Sequence, residues 1–366
     1  MTAKRGAGTA ASWAPLFARR RVGSYVVTMV EASNRLVSSW QDAARTGAVV
    51  DLTEAGLGYA LDILGHAVFG EDMGSAAEVL HETVPVMNEH VTRRALSPVR
   101  LPPWWPTPTS RRAGRARQSL RALVDGLIAN RKAGALDGSD LLSLLLSARD
   151  PHDGSALDDL AVRDQALIFL LAGHETAGSA LAFALHLLGR HETVQERVRQ
   201  EVASVAGTGA IGPDAVDRLA YTAQVVNEAM RLYPPAHILV RRAQQPATCS
   251  GREVEPGQFM AVSIWGIHHN PGVWPEPDRF DPDRFGAGTV TTDGDPDGQS
   301  SRYRHLPFGG GPRGCIGQHL AFAELVVAVA TVVRAYRLES VADGPDLHVR
   351  LTLKPGGELP CRLRPA

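Results

Sequence analysis

The chain has 366 residues, of which 44% are hydrophobic and 21% charged. This composition is that of a globular protein with a large core, and it excludes a disordered chain. The formal net charge of −1 gives no global positive field, so we expect no nucleic-acid partner.

The cysteine content favours a reducing compartment. Cys249, Cys315 and Cys361 are sparse and odd in number, which argues against a disulfide framework and against a structural zinc site. The basic first residues are not followed by an apolar run, so no signal peptide is expected. Residues 166–189 form the most apolar stretch, but two histidines and a glutamate interrupt it. We therefore expect a cytoplasmic protein without a membrane anchor.

Helical periodicity dominates the chain. Helices are predicted over residues 21–46, 52–69, 76–94, 111–132, 140–149, 160–190, 192–205, 214–232 and 318–336. Short strands are predicted at residues 238–240, 254 and 259–264, and a terminal hairpin is predicted to pair 349–353 with 359–363. Proline-rich residues 97–108 and Gly/Asp/Ser-rich residues 285–304 are predicted to be irregular connections.

These elements predict one mainly α domain with small β-sheets over residues 1–366. The predicted parts are a helix-rich core over residues 16–235 and 316–337, a small β and cysteine-loop region over 236–315, and the hairpin over 347–364. The helix over 160–190 is apolar nearly all round, so other helices should surround it. At 1.5 Å per residue this helix spans about 45 Å, the width of a whole domain.

The sharpest motif is Phe-Gly-Gly-Gly-Pro-Arg-Gly-Cys-Ile-Gly, from Phe308 to Gly317. Its glycines allow the backbone to approach a flat ligand closely. The helix that starts behind Cys315 favours thiolate over thiol. A lone thiolate held in this way suits one axial bond to a metal that other atoms already hold, as in haem. The fork of Arg313 matches a carboxylate such as a haem propionate.

Three plainer interpretations compete for this loop. A free cysteine is most often a small buried hydrophobe. Gly309, Gly311 and Gly314 match the GxGxxG pattern of dinucleotide-binding loops, but no apolar strand precedes them and a proline lies among them. A phosphate-binding Walker loop is excluded, because it would need Gly-Lys followed by Ser or Thr.

The FxxGxRxCxG spacing of this loop is reproduced by Phe308, Gly311, Arg313, Cys315 and Gly317. In this signature the chain resembles the cytochrome P450 family. The resemblance implies that family's fold, in which a long central helix lies over haem b. It also implies that Cys315 is the proximal thiolate ligand of the haem iron, and that the loop, with Gly309, binds the cofactor.

A second motif is the pair Glu228 and Arg231, which share one face of a helix at i and i+3. Such a pair is usually a solvated surface contact that contributes little. Here apolar residues flank it, and it resembles the ExxR helix of the family. An arginine from a PxRF stretch completes that motif; Arg284 matches it, and Arg279 lies in a near copy. We expect Arg284, because it stands just before the variable loop, and the resemblance implies structural and haem-assembly roles.

A third motif is Ala-Gly-His-Glu-Thr, from Ala172 to Thr176, midway along the long apolar helix. Acidic and hydroxyl groups in such a place are costly unless partnered. A mid-helix threonine commonly bonds the carbonyl one turn back, and with Gly173 nearby this would leave room for a small ligand. The motif resembles the family's oxygen-activation motif. The resemblance implies that Ala172 and Gly173 border the cofactor and that Thr176 helps hold a water-linked proton path. It implies that Glu175 supplies protons to this path.

Two further residues are candidates for contact with a propionate. One is Arg241 or Arg242, at the strand after the Pro-Pro stop, and we assign Arg242; the other is His305. The family normally begins with a β-rich region and several helices before the segment that resembles residues 16–29. The fold is therefore expected to be N-terminally shortened, without part of the substrate-pocket wall and without a helix that contacts a propionate.

Taken together, these residues predict a haem-thiolate monooxygenase that inserts one oxygen atom from O2 into a small apolar organic substrate. No flavin or iron–sulfur segment is fused to the chain, so ferredoxin and ferredoxin reductase are the expected electron donors, docking on arginines such as Arg313. Two alternatives stay open. One is a truncated scaffold that binds haem weakly or is inactive, and the other is a peroxide-using haem-thiolate enzyme.

Overall fold

Helices dominate the described part of the chain. The computed structural model describes residues 17, 19–74, 76–96, 107–134, 140–147, 156–207, 209, 211–249, 251–286 and 303–366. Its helices are α1 (Arg19–Val22), α2 (Val26–Ser39), α3 (Gln41–Thr46), α4 (Leu52–Ile63), α5 (Ala76–Leu96), α6 (Pro108–Ala133), α7 (Leu141–Ser147), α8 (Asp159–Arg190), α9 (Glu192–Ala206), α10 (Pro213–Val216), α11 (Ala220–Leu232), α12 (Ile264–His268) and α13 (Gln318–Ala335). The predicted connections over 97–106 and 287–302 lie outside the described residues.

Two of the predicted helices are interrupted. The helix predicted over 21–46 is divided by a 3-10 turn at Gly23–Tyr25 and again at Trp40. The helix predicted over 52–69 changes from α to π geometry at Leu64–Phe69, and Gly70 ends it in the left-handed region at φ 67°. Hydrophobic periodicity alone does not distinguish these local changes of helix type.

Four small antiparallel sheets complete the fold in the described residues. Their strands are β1 (Val49–Asp51), β2 (Ile238–Arg242), β3 (Ala247–Cys249), β4 (Arg252–Val254), β5 (Phe259–Ser263), β6 (Tyr336–Ser340), β7 (Leu347–Val349), β8 (Leu353–Pro355) and β9 (Pro360–Pro365). β2 pairs with β5, β3 with β4 and β7 with β8, whereas β9 lies between β1 and β6.

The predicted terminal hairpin is wrong. Residues 353–355 pair back onto Leu347–Val349, and β9 pairs instead with β1 and β6, which were not predicted as strands. The physical reason is the burial pattern of β9, in which Cys361 and Leu363 are buried and their neighbours face outward. A strand with one buried face pairs with a strand whose side chains are buried on the same face. In β6, buried and exposed side chains alternate in the same way from Tyr336 onward.

The long helix α8 lies at the centre of the core. It begins after Asp158, whose side chain accepts a hydrogen bond from the N–H of Ala161 at 2.6 Å. Its second half is buried almost throughout. A Cβ atom on Gly56 of α4 would lie only 2.3 Å from the carbonyl oxygen of Gly178 in α8, so the two backbones are in direct contact. This contact fixes α8 firmly against α4.

A second apolar helix of the core is α13, which follows the cysteine loop and is buried from Ala323 to Val333. By length and composition, α8 and α13 would each suffice to cross a membrane. In both helices, 61% of the apolar window is buried inside the protein. They therefore form the core against which the rest of the fold packs.

Candidate active site

The cysteine loop is a tight backbone structure that requires its glycines. Gly309 and Gly311 both have φ of 70°, in the left-handed region that favours glycine. The N–H of Cys315 donates to the carbonyl oxygen of Phe308 at 2.8 Å, and the N–H of Gly314 donates to that of Gly311 at 2.9 Å. These bonds close the loop and present Cys315 just before α13 begins.

The thiol of Cys315 is exposed on this loop. Burial of its inner side raises the pKa of the thiol above its ordinary value, and the backbone N–H of Gly317 opposes this only in part. The N–H group at the helix start thus favours the thiolate, as expected, but burial has the larger effect on the pKa of Cys315 in the chain by itself. A bound metal ion deprotonates a coordinating thiol, so the ligand role does not depend on a low intrinsic pKa.

The direction of the side chains on β2 distinguishes Arg241 from Arg242 as the neighbour of the cysteine loop. A Cβ atom on Gly309 would lie 3.3 Å from the side chain of Leu239, so the loop packs on the face of β2 that carries Leu239. Side chains alternate along a strand, which places Arg241 on this face and Arg242 on the opposite one. Arg242 donates to the carbonyl oxygen of Gly257 at 3.2 Å. Arg242 therefore lies on the face of β2 away from the loop, and Arg241 lies on the face that meets it.

Arg313 and Arg241 are both exposed beside the loop. The guanidinium of Arg241 donates to the carbonyl oxygen of Val240 at 3.1 Å. Within the described ranges, Arg313 has no side-chain hydrogen bond or ion pair. These two guanidinium groups, one in the loop and one on the strand packed against it, have no carboxylate partner among the described residues, and both can bind carboxylates.

A fully buried ion pair lies in the core beside the loop. Arg231 donates through Nε to Glu228 Oε2 at 2.7 Å and through Nη2 to Oε1 at 2.8 Å. Both side chains are 0% exposed. Nη1 of Arg231 donates to the carbonyl oxygens of His268 and Pro277 at 2.8 and 2.7 Å. Burial raises the pKa of Glu228, whereas its bonds to Arg231 and to the N–H of Asp281 lower it.

The third member of this cluster is Arg284. Its Nε lies 3.3 Å from Oε1 of Glu228. Its Nη atoms donate to the carbonyl oxygens of Pro275 and Glu276 at 2.5 and 2.8 Å. Arg279, from the near copy of the motif, instead forms exposed ion pairs with Glu276 and Asp281. The structure thus brings Glu228, Arg231 and Arg284 together and leaves the Arg279 side chain at the surface.

His305 lies in this cluster. Its Nε2 lies 3.2 Å from the carbonyl oxygen of Asn227, to which it donates, and its ring packs on those of His268 and Phe285. Burial lowers the pKa of His305 well below its usual value, so the ring is neutral. The expected contact of His305 with a propionate stays a prediction, because the Nε2 atom of His305 is engaged with Asn227 in this structure.

The sequence analysis missed His268, which joins the ion pair to the cysteine loop. Nε2 of His268 accepts the N–H of Leu306 at 2.9 Å, so its Nδ1 carries the proton and donates to the carbonyl oxygen of Arg231 at 3.2 Å. Burial, with Arg231 nearby, lowers the pKa of His268 to about 3 and keeps Nε2 an acceptor. Leu306 leads directly into Phe308, so the cluster positions the loop.

The motif in α8 contains one open stripe on a mostly buried helix. Thr176 Oγ1 donates to the carbonyl oxygen of Ala172, one turn back. Ala172 is exposed, Thr176 is half-buried and Ile168 is 54% exposed, and these positions share one face at four-residue spacing. Gly173 lies against Leu64, where a Cβ atom would come within 2.9 Å of its side chain. The stripe is an apolar wall with one hydroxyl group.

Glu175 lies next to this stripe but is fully partnered. Its Oε1 accepts from Lys354 Nζ at 2.6 Å, and its Oε2 accepts from Thr352 Oγ1 at 2.5 Å and from Asn88 Nδ2 at 2.9 Å. Burial would raise the pKa of Glu175, but these three donors lower it below its usual value. The carboxylate is therefore ionised at neutral pH and holds no proton of its own.

These residues fit a haem. An exposed thiol stands on a loop that has open space at the Cβ position of Gly311. Unpaired Arg241 and Arg313 suit two propionates, and the apolar stripe of α8 suits a flat macrocycle and a small ligand. No cluster of three or more His, Cys, Asp or Glu in the described ranges forms an alternative metal site. A porphyrin supplies its own four ligands, so one thiolate suffices from the protein.

Comparison with known proteins adds independent findings. The family model described as cytochrome P450 matches residues 13–357. Cyclooctat-9-en-7-ol 5-monooxygenase of Streptomyces melanosporofaciens is 33% identical over 329 residues, which are 89% of this chain and 69% of that relative. Cytochrome P450 4A6 of Oryctolagus cuniculus is 37% identical over 274 residues, which cover 70% of this chain and 51% of that relative.

Solved structures show the same likeness in three dimensions. The crystal structure of the cytochrome P450DA haem domain superimposes with a TM-score of 0.82 at 27% identity, covering 98% of this chain and 75% of that chain. A further cytochrome P450 crystal structure gives a TM-score of 0.83 at 26% identity, covering 97% of this chain and 80% of that chain. The arrangement of helices and small sheets is thus shared over nearly the whole chain.

Proposed function

The chain belongs to the cytochrome P450 family and is a monooxygenase of the oxidoreductase class, and from this premise we propose that Cys315 is its axial haem ligand. The observation that carries the proposal is the exposed thiol of Cys315 on a loop whose shape requires Gly309 and Gly311. Cys361 is buried and Cys249 lies in the β3 strand, so neither offers a comparable site. When bound, haem b supplies the binding and reductive activation of O2.

Each group of residues has a distinct task in this proposal. Arg241 and Arg313 hold the propionates by charge-assisted hydrogen bonds. Ile168 and Ala172 provide an apolar wall that excludes water and favours an apolar substrate. Thr176 keeps a hydroxyl group on this wall, where it orders water and passes protons. Glu228, Arg231 and Arg284 act through the position of the loop, and not on the substrate.

The substrate is proposed to be a small apolar organic molecule that receives one oxygen atom from O2. Two relatives at 33% and 32% identity are named cyclooctat-9-en-7-ol 5-monooxygenase and cyclooctatin synthase, which supports this class of substrate. A separate donor, a ferredoxin with its reductase, is proposed to supply electrons. The exposed Arg313 beside the loop offers a positive contact for an acidic donor protein.

Replacing Cys315 by alanine tests the ligand assignment. We expect the variant to lose the red-shifted ferrous–carbonyl absorption band that a thiolate-ligated haem gives, because no other thiol in the described residues stands on such a loop. The measurement is an optical spectrum of the haem-reconstituted, reduced protein under carbon monoxide. Cys249→Ala and Cys361→Ala are the controls; loss of the band in either control with its retention in Cys315→Ala would assign the ligand elsewhere.

Replacing Thr176 by alanine tests the proton path. We expect haem and substrate binding to persist while product formed per electron falls by roughly 10²–10⁴-fold, the usual contribution of a positioned proton transfer. The readout is the ratio of product to peroxide and consumed reductant. Thr331→Ala is a matched control, since Thr331 makes the same bond to Val327 one turn back within α13. Parental coupling in Thr176→Ala would remove this role from Thr176.

A further inference from the structure

Glu175 is held at both oxygens by residues from separate parts of the chain. Asn88 lies on α5, whereas Thr352 lies just before β8 and Lys354 lies within it, 177 and 179 residues away from Glu175 in sequence. The two neutral donors share Oε2, and Lys354 alone holds Oε1. The carboxylate is therefore oriented toward β8, and among the described residues its one charged partner is the ammonium group of Lys354.

The hydrogen bonds to Glu175 decide which group of this cluster carries an ionisable proton. A carboxylate that accepts three hydrogen bonds and pairs with an ammonium stays ionised, so it cannot release a proton that it does not hold. The neighbouring His174 is buried, and burial lowers its pKa to about 4, so this ring is also without an acidic proton at neutral pH. Among the groups of the described ranges that contact Glu175, Lys354 is the one that carries an ionisable proton.

Lys354 also has the exposure that a proton entry point requires. Its side chain is 28% exposed, whereas that of Glu175 is 6% exposed. Nζ lies 2.6 Å from Oε1, which is the distance of a short charge-assisted hydrogen bond. One end of the pair therefore contacts solvent, and the other end lies in the core on the residue that precedes Thr176 in α8.

We propose that Lys354 is the solvent-side member of a proton relay that feeds Glu175, a role that rests on the proposed function. The proton moves from Nζ of Lys354 to Oε1 of Glu175, which leaves a neutral amine and a neutral acid. Glu175 then gives its proton toward the Thr176 side and returns to carboxylate. Solvent restores the proton on the Lys354 amine, so charge and protons balance over one cycle.

Lys354→Arg is the sharpest test, because arginine keeps the positive charge and the ion pair but does not release its proton. We expect the ferrous–carbonyl band of the parent, together with a loss of coupled product of roughly 10²-fold. Lys132→Arg is the matched control, since Lys132 forms an exposed ion pair with Asp159 at 2.7 Å. Parental coupling in Lys354→Arg would overturn the relay and leave Lys354 as a source of charge only.

Chemical rescue gives an independent readout. In Lys354→Ala, added ethylamine can occupy the space of the side chain and carry a proton, whereas tetramethylammonium carries charge without one. We expect ethylamine to restore coupling and tetramethylammonium to leave it low. Equal effects of the two cations, or no effect of either, would overturn the proposal.

A third readout needs no haem. The infrared band of the Glu175 carboxyl group is identified by its absence from the spectrum of Glu175→Gln. In the parent and in Lys354→Arg, we expect this band at the frequency of an ionised carboxylate. It should shift toward the protonated acid in Lys354→Met, because the buried group loses its charged partner. An unshifted band in Lys354→Met would overturn the pairing on which the relay depends. A parent without the thiolate band would instead reject the proposed function itself.

Discussion

Glu228→Ala is expected to leave the chain largely insoluble or without haem. The variant keeps Arg231 fully buried and removes the carboxylate that accepts two of its hydrogen bonds. Breaking a buried pair by removing one partner typically costs about 3–5 kcal/mol. That is a large part of the roughly 5–15 kcal/mol by which a domain is stable. The cysteine loop should fail with it, because His268 connects Arg231 to Leu306.

The measurements are soluble yield, haem content and the denaturant midpoint of the folded fraction. Arg231→Lys should fail similarly, since a point charge cannot reproduce the fork that contacts Glu228 and the carbonyl oxygens around it. Asp42→Ala is the matched control, because Asp42 and Arg45 form a pair at the same spacing with side chains 90% and 76% exposed. Normal yield of folded, haem-loaded Glu228→Ala would show that the buried pair contributes little.

Glu324→Gln is expected to make the protein more stable at alkaline pH than the parent. Glu324 lies on α13, is 5% exposed, and burial raises its pKa to about 8. The folded protein therefore binds a proton that the unfolded chain releases near pH 4.5, the ordinary value for this group. Between these values the folded state holds more protons, so its free energy of unfolding falls as pH rises.

The expected slope from this group is up to about 1.4 kcal/mol per pH unit across that window. Glutamine keeps the shape and cannot ionise, so the advantage of Glu324→Gln should be absent near pH 4.5 and grow until about pH 8. Urea midpoints at several pH values measure this difference. Glu358→Gln, at an exposed glutamate, controls for the loss of one carboxyl group. A difference that does not change with pH would show that Glu324 ionises freely in the folded protein.

Sequence patterns predicted those parts of the site whose residues are close together in the chain. Cys315 and its glycines are close in sequence, and the conformation of the loop depends on those glycines. Glu228 and Arg231 are adjacent on one helix turn. The apolar run of α8 likewise predicted a central buried helix, because a helix without a polar face needs neighbours on all sides. The family and fold that these motifs indicated are confirmed by the comparisons.

The residues of the site that the sequence did not predict are those whose contacts join segments far apart in the chain. Lys354 carries no motif, and its role becomes visible only when β8 comes within 2.6 Å of Glu175. The choice between Arg241 and Arg242 depends on which face of β2 meets the cysteine loop, and a strand presents both faces equally. His268 was missed for a similar reason, since its partners Arg231 and Leu306 are 37 and 38 residues away. The local sequence, in which His268 and His269 follow Trp265, does not indicate these contacts.

The position of β9 in the middle of its sheet has a consequence for biosynthesis. Asp51, at the end of β1, accepts the N–H of Leu359, a residue 308 positions later. At a translation rate of about 5–20 residues per second, β1 waits on the order of 15–60 s on the ribosome before its partner strand exists. During that time the edges of β1 and, later, β6 have no β9 to cover them. The three-stranded sheet can therefore form only after β9 has been synthesised, and slow codons before residue 360 should lengthen the time for which β1 and β6 stay unpaired.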